Sequence, residues 1–166
     1  MKALHALPLA FCLPLAGACG PLDAGEVCNQ NGLAPTAEEV ADGQGKALVD
    51  GSPWEGSGSW APGSNASVDI GTLSMVIAVD ETGTEVADLI ARRAFPICVP
   101  LGARSEESGN ASFEGSFITD ENHTGGVAIL EEDGGLLLGR FSLDLQSPST
   151  GDSKRITEGA FRVERR

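Results

Sequence analysis

The segment from Asp120 to Glu131 has the residue types and spacing of a calcium-binding loop. Asp120, Asn122, Thr124 and Glu131 stand at positions 1, 3, 5 and 12 of the EF-hand pattern, with Gly125 at position 6. Carboxylate, amide and hydroxyl oxygens are the hard ligands that Ca²⁺ prefers. An EF-hand also needs a helix on either side, whereas strand-like residues precede this segment and a turn follows it. We therefore expect an acidic loop between strands, with a calcium site at Asp120, Asn122, Thr124 and Glu131 as the alternative.

His123 lies in the same segment and could serve as a general base beside a serine and a carboxylate. A hydrolase that carries its serine on a nucleophile elbow would show the sequence G-x-S-x-G, which this chain lacks. A single loop histidine is more typical of a solvated side chain. We predict no catalytic residue and no cofactor, and an unrecognised hydrolase is kept as an alternative.

The first 18 residues have the order of a secretory signal peptide: a basic start at Lys2, an apolar stretch and the small residues Ala16-Gly17-Ala18. Cys19 follows directly. This order resembles the lipobox of bacterial lipoproteins, in which the cysteine after the cut receives diacylglycerol and an N-acyl chain such as palmitate. Since Gly20 rather than Asp follows Cys19, the resemblance implies the outer membrane. Secretion or a periplasmic location without a lipid is the alternative.

The cysteine count favours lipidation. Beyond the signal the chain keeps Cys19, Cys28 and Cys98, an odd number for an oxidising compartment. Acylation of Cys19 leaves Cys28 and Cys98 as one pair. We predict that these two form a disulfide, which closes a loop of about 70 residues and contributes ~4 kcal/mol in the chain-entropy model. The alternative is a buried, unpaired Cys98.

Composition and charge divide the rest of the chain into a tether and a domain. Residues 20–45 contain five acidic groups and no basic one. That composition, with much Gly, Pro, Asn and Gln, predicts a lipid-anchored, solvated tether over residues 19–45 and a domain over 46–166. The formal net charge of −13 argues against nucleic-acid binding. No apolar run approaches the ~20 residues of a membrane-spanning helix.

Short apolar runs separated by Gly, Asn and Asp predict an all-β domain. Val68–Val79 reads as one strand whose inward parity shifts at Gly71, as a β-bulge would cause. Residues 85–93 fit either a strand or a helix. Asp133-Gly134 predicts a hairpin turn. The remaining predicted strands are Ala47–Asp50, Trp54–Trp60, Phe95–Pro100, Ala111–Thr119, Gly126–Glu131, Leu136–Leu145 and Ile156–Glu164.

Four stretches carry a resemblance to a family of secreted bacterial β-sandwich domains of uncharacterised function. They are residues 49–54 (VDGSPW), the pair 126–129 and 138–141 (GVAI and LGRF), and residues 156–161 (ITEGAF). The resemblance implies a single antiparallel β-sandwich at the cell surface and supplies no activity.

Gly58-Ser59-Trp60 is similar to the G-x-W triplet on the first strand of lipocalins. The alternative to the sandwich is therefore a closed barrel that carries a small apolar ligand. We expect an outer-membrane lipoprotein that acts as a non-enzymatic binding or envelope module, with an unknown envelope protein or small molecule as its partner.

Overall fold

The computed structural model describes residues 40–102 and 109–166, and these form ten β-strands and one short helix. In chain order the elements are β1 Gln44–Val49, β2 Ser52–Ala61, β3 Ala66–Ile70, β4 Leu73–Ile77, α1 Val86–Ala91, β5 Ile97–Leu101, β6 Gly109–Phe113, β7 Phe117–Ile118, β8 Gly125–Asp133, β9 Leu136–Gln146 and β10 Ser153–Arg165. The prediction of an all-β domain is confirmed. The predicted signal peptide, and the tether up to residue 39 with Cys19 and Cys28, lie outside the described residues.

The strands hydrogen-bond as one large sheet in the order β1-β10-β2-β3-β4-β6-β7-β9-β8-β5, and β1 also pairs with β2 and β9 with β10. Strand pairing therefore forms a circuit. It runs from β1 through β2, β3, β4, β6 and β7 to β9, and it returns through β10 to β1. All are antiparallel except the contact of β10 with β2, where Glu164 and Arg165 lie beside Ser59 and Trp60 in parallel. Strands β8 and β5 extend from the other edge of β9.

Alternating side chains of these strands build one hydrophobic core. In β3, β4 and β5 every second residue is buried, as the two-residue period of a half-covered strand requires. Its largest buried side chains include Trp60, Phe113, Phe141 and Phe161. The rings of Phe141 and Phe161 have centroids 6.3 Å apart. Burial of each such ring contributes roughly 1.5–3 kcal/mol.

The prediction of a bulged strand over Val68–Val79 is wrong. The chain turns back at Gly71-Thr72, so that Ile70 pairs with Leu73 and Val68 with Met75 in a two-residue hairpin. Gly71 has φ +54, a backbone conformation that glycine adopts without strain. A bulge and a tight hairpin both shift the parity of buried residues along the chain, so parity alone could not distinguish them.

The prediction of one strand over Ala111–Thr119 is also wrong. Glu114 and Gly115 both have positive φ and reverse the chain, which gives β6 and the short β7. The hairpin predicted at Asp133-Gly134 is present, but its two loop residues are Gly134 and Gly135, because Asp133 still pairs with Leu136. Residues 86–91 form helix α1, whose Val86 enters the core.

Candidate functional site

One end of the sheet gathers several chain reversals. The turn at Gly71-Thr72 contacts the turn after β6, since the Glu114 amide donates to the Thr72 carbonyl at 3.0 Å. The turn between β1 and β2 contacts the start of β10, where the Arg155 amide donates to Asp50 Oδ1 at 2.8 Å. The ammonium group of Lys154 lies 3.6 Å from the second oxygen of Asp50. These contacts fix the loops of this end relative to one another.

Partly exposed apolar side chains lie at the same end. Trp54 packs edge-on against Phe113 with 5.8 Å between ring centroids. Phe117 pairs with Phe113 across β6 and β7, and the Lys154 ammonium lies 5.2 Å from its ring centroid. Ile118 is the large apolar side chain that is exposed among the described residues, at 37%. We call the surface formed by Asp50, Trp54, Phe117 and Lys154 the aromatic end. Ile118 follows Phe117 in β7 and lies on the opposite face of that strand.

The loop between β7 and β8 is organised around the carboxylate of Asp120. One of its oxygens accepts hydrogen bonds from the backbone amides of Asn122 and His123, both at 2.7 Å, and from the His123 ring at 3.0 Å. The backbone closes the same turn, because the Asp120 amide donates to the His123 carbonyl. Burial raises the pKa of Asp120, but these hydrogen bonds and the charge of a protonated His123 outweigh it, so the pKa is lowered.

The four residues of the proposed calcium site are divided between a loop and a strand. Asp120 and Asn122 lie in the loop, Thr124 is buried at its end, and Glu131 lies within β8 opposite Leu138. Glu131 is six residues along the strand from Gly125, about 20 Å at ~3.3 Å per residue. Among residues 40–102 and 109–166, no three His, Cys, Asp or Glu side chains come together as metal ligands.

His123 is held at its backbone and at its ring by Asp120. This provides the carboxylate–histidine half of a hydrolase triad. A triad also requires a nucleophilic hydroxyl on the imidazole, and within the described part of the chain the ring's hydrogen bond goes to Asp120 alone. The hydrogen bonds between Asp120 and His123 hold this turn closed.

Trp60 of the G-x-W triplet lies where β2 meets β10. Its ring nitrogen donates to the Gly135 carbonyl at 2.8 Å, and the Arg165 guanidinium lies 5.8 Å from the ring centroid. A Cβ at Gly58 would stand 2.7 Å from the carbonyl oxygen of Asp69, so close packing against β3 requires glycine there. The triplet thus holds β2 against β10, which is the contact that closes the circuit of strand pairings.

Cys98 lies in β5 between the core residues Ile97 and Val99, and its side chain is partly exposed on the opposite face. Both the strand and the partial burial that the sequence predicted at Cys98 are present. Its expected partner, Cys28, and the expected acylation site, Cys19, lie outside the described residues, so the disulfide and the lipid anchor stay predictions.

Comparison with known proteins identifies no family: no family model, no curated protein and no solved structure matches this chain. Of the residues that the structure describes, none belongs to a helix long and apolar enough to cross a membrane.

The sequence did not reveal the aromatic end as a surface. Trp54 and Phe117 come from strands that are distant in sequence, and the sequence pattern places Phe117 within one continuous strand over Ala111–Thr119. The turn at Glu114-Gly115 brings Phe117 back beside Phe113. Glu-Gly is a weak turn signal, and no periodicity marks a two-residue strand such as β7.

Replacement of Asp120 should destabilise the domain in a pH-dependent way. At pH 7 we expect Asp120→Ala to lose about 1–2 kcal/mol of the free energy of unfolding, because two backbone donors lose a charged acceptor. A carboxylate with a lowered pKa stabilises the fold above its unfolded pKa of about 3.9, and this stabilisation disappears as pH falls through the folded pKa. Urea unfolding between pH 7 and pH 3 should therefore show the advantage of Asp120 over Asp120→Asn shrinking with acidification. Glu121→Gln, at an exposed neighbour, is the control. If Asp120→Ala were as stable as the wild type at pH 7, the role of Asp120 in stabilising the loop would be contradicted.

Proposed function

We propose that this protein is a lipoprotein, anchored to the outer membrane through Cys19, whose β-domain is a non-enzymatic binding module of the cell envelope. The sequence Ala16-Gly17-Ala18-Cys19 supports the anchor through its similarity to a lipobox. The observation that carries the binding role is the aromatic end. Aromatic side chains beside a fixed charge pair are typical of surfaces that bind proteins, since they offer large contact areas at little cost in side-chain entropy.

The aromatic end is suited to an envelope protein as partner. Asp50 and Lys154 form an ion pair at its rim, Trp54 packs on Phe113, and Phe117 packs against the hydrophobic core. A surface that is ordered before binding loses little entropy on association.

We further propose that the domain is a β-sandwich in which β2-β3-β4-β6-β7 faces the layer containing β10, β9, β8 and β5. Support comes from the link at one side, where β7 meets β9 at a single residue pair. At the other side β1 pairs with both β2 and β10, and its pairing with β10 shifts register between Lys46 and Leu48. A short contact and a register shift are typical of places where strands pass from one layer to the other at a corner.

A lipocalin-like carrier is the second candidate, because the pairings return from β9 through β10 to β1 and β2 as they would in a closed barrel. A carrier also needs an interior cavity. The interior of this domain holds Trp60, Phe113, Phe141 and Phe161 instead, which favours binding at the surface.

The anchor is tested by metabolic labelling with a fatty acid. We expect label on the wild-type protein and none on Cys19→Ser, since a thioether-linked lipid needs the cysteine sulfur. Cys98→Ser is the control and should keep the label. Equal labelling of the wild type and Cys19→Ser, or no label on either, would contradict the anchor.

The binding role is tested by affinity capture of the acylated protein from its own envelope, with mass spectrometry of the retained proteins. Trp54→Ala should reduce a specifically retained protein at least tenfold, because it removes a large apolar contact from the aromatic end. Asn110→Ala, at an exposed position of β6, should retain that protein as the wild type does. Equal retention by both variants would overturn the assignment of the aromatic end.

A further inference from the structure

The chain enters the sheet at the end opposite the aromatic end. The first strand begins at Gln44, which pairs with Arg162 near the end of β10. Before it, the Gly43 carbonyl accepts a hydrogen bond from the Gly58 amide at 2.8 Å, and Asp42 forms an ion pair with Arg162. These contacts hold the start of the strand in place. We call the end of the sheet that holds Asp42, Gly43 and Gln44 the entry end.

The turn between β8 and β9 and the last residues of β10 belong to the entry end too. Asp42, Gly135 and Arg165 line one surface cavity. The Gly135 carbonyl accepts hydrogen bonds from the ring nitrogen of Trp60 and from the Arg165 amide, both at 2.8 Å. The place where the chain enters the domain is therefore also the place where β2, β9 and β10 are joined.

Strand β10 measures the distance between the two ends. Near its start Lys154 forms the ion pair of the aromatic end, and near its end Arg162 contacts Asp42. Eight residues along a strand span about 26 Å at ~3.3 Å per residue. Strand β1 covers the same interval, since it leads from Gln44 to the turn at Asp50. The segment before β1 thus leaves the domain on the side far from the aromatic end.

This point of entry decides which end of an anchored domain lies nearer to the membrane. Whatever path residues 20–39 take from Cys19, they join the domain at the entry end. A body that is tethered at one end holds its opposite end farther from the anchor on average. The net charge of −13 is repelled by anionic lipid headgroups, which opposes a domain that lies flat on the membrane.

We propose, on the basis of the proposed anchor at Cys19, that the aromatic end points away from the anchoring membrane. Its partner is then a protein that reaches it through the aqueous space of the envelope. Exposed aromatic side chains are also typical of surfaces that enter the lipid interface. Here the ion pair of Asp50 and Lys154 lies beside the rings, and insertion into lipid would remove both charges from water at a high cost.

Two exposed serines mark the two ends for a direct test. Ser64 lies in the loop between β2 and β3, close to Ser67, whose hydroxyl accepts a hydrogen bond from Arg166 at 3.3 Å. Ser153 begins β10 and precedes Lys154. Ser64→Cys and Ser153→Cys therefore place a fluorophore at the entry end and at the aromatic end through the same conservative change. The unsubstituted chain, treated with the same reagent, is the control for label on the native cysteines.

The test is energy transfer from each fluorophore to an acceptor dye on lipid headgroups. The acylated full chain is bound to vesicles of phosphatidylethanolamine and phosphatidylglycerol. We expect transfer from position 64 to be at least twofold larger than from position 153, and nitroxide groups on the acyl chains to leave the label at position 153 unquenched. Equal transfer from the two positions would overturn the proposal. Larger transfer from position 153 would also overturn it and would make lipid the occupant of the aromatic end.

Failure of the anchor gives a different result from failure of the orientation. If the wild-type protein does not float with the vesicles, the anchor and the orientation are both contradicted. If it floats and the two labels transfer equally, the orientation alone is contradicted. Cys19→Ser, combined with either labelled position, should show no transfer.

Discussion

The structure depends on β10, the long strand that hydrogen-bonds along both of its edges. One edge pairs with β9 and the other with β1, and its last residues meet β2. The final link is made by backbone as well as side chain: the Arg165 amide donates to the Gly135 carbonyl and the Arg166 amide to the Trp60 carbonyl. Without this strand, β1 and β2 would connect to β9 and β8 only through β3, β4, β6 and the two-residue strand β7, and the circuit of strand pairings would stay open.

Core strands place Phe141, Phe161 and Trp60 in the interior, and we propose that binding takes place at the surface. The aromatic end is apolar beside a charge pair, and we propose that it binds a partner.

Local patterns predicted most strands but not the turns that separate them. Alternation over Leu136–Leu145 predicted β9, and Asp133-Gly134 indicated its hairpin to within one residue. The same reasoning failed at Gly71, where a hairpin and a bulge produce the same shift in parity. The cluster of Trp54, Phe113 and Phe117 could not be predicted, because it depends on contacts between strands far apart in sequence.

Amide hydrogen exchange at Arg165 and Arg166 tests most directly whether β10 closes the structure. Exchange at the end of a chain is normally fast because the end frays. If the hydrogen bonds to the Gly135 and Trp60 carbonyls hold the end of β10 in the sheet, these two amides should exchange only with global unfolding. Their exchange rates should then be like those of the Phe161 and Val163 amides. Exchange at the rate of an unprotected amide, while Phe161 stays protected, would show that β10 ends free and would contradict the account.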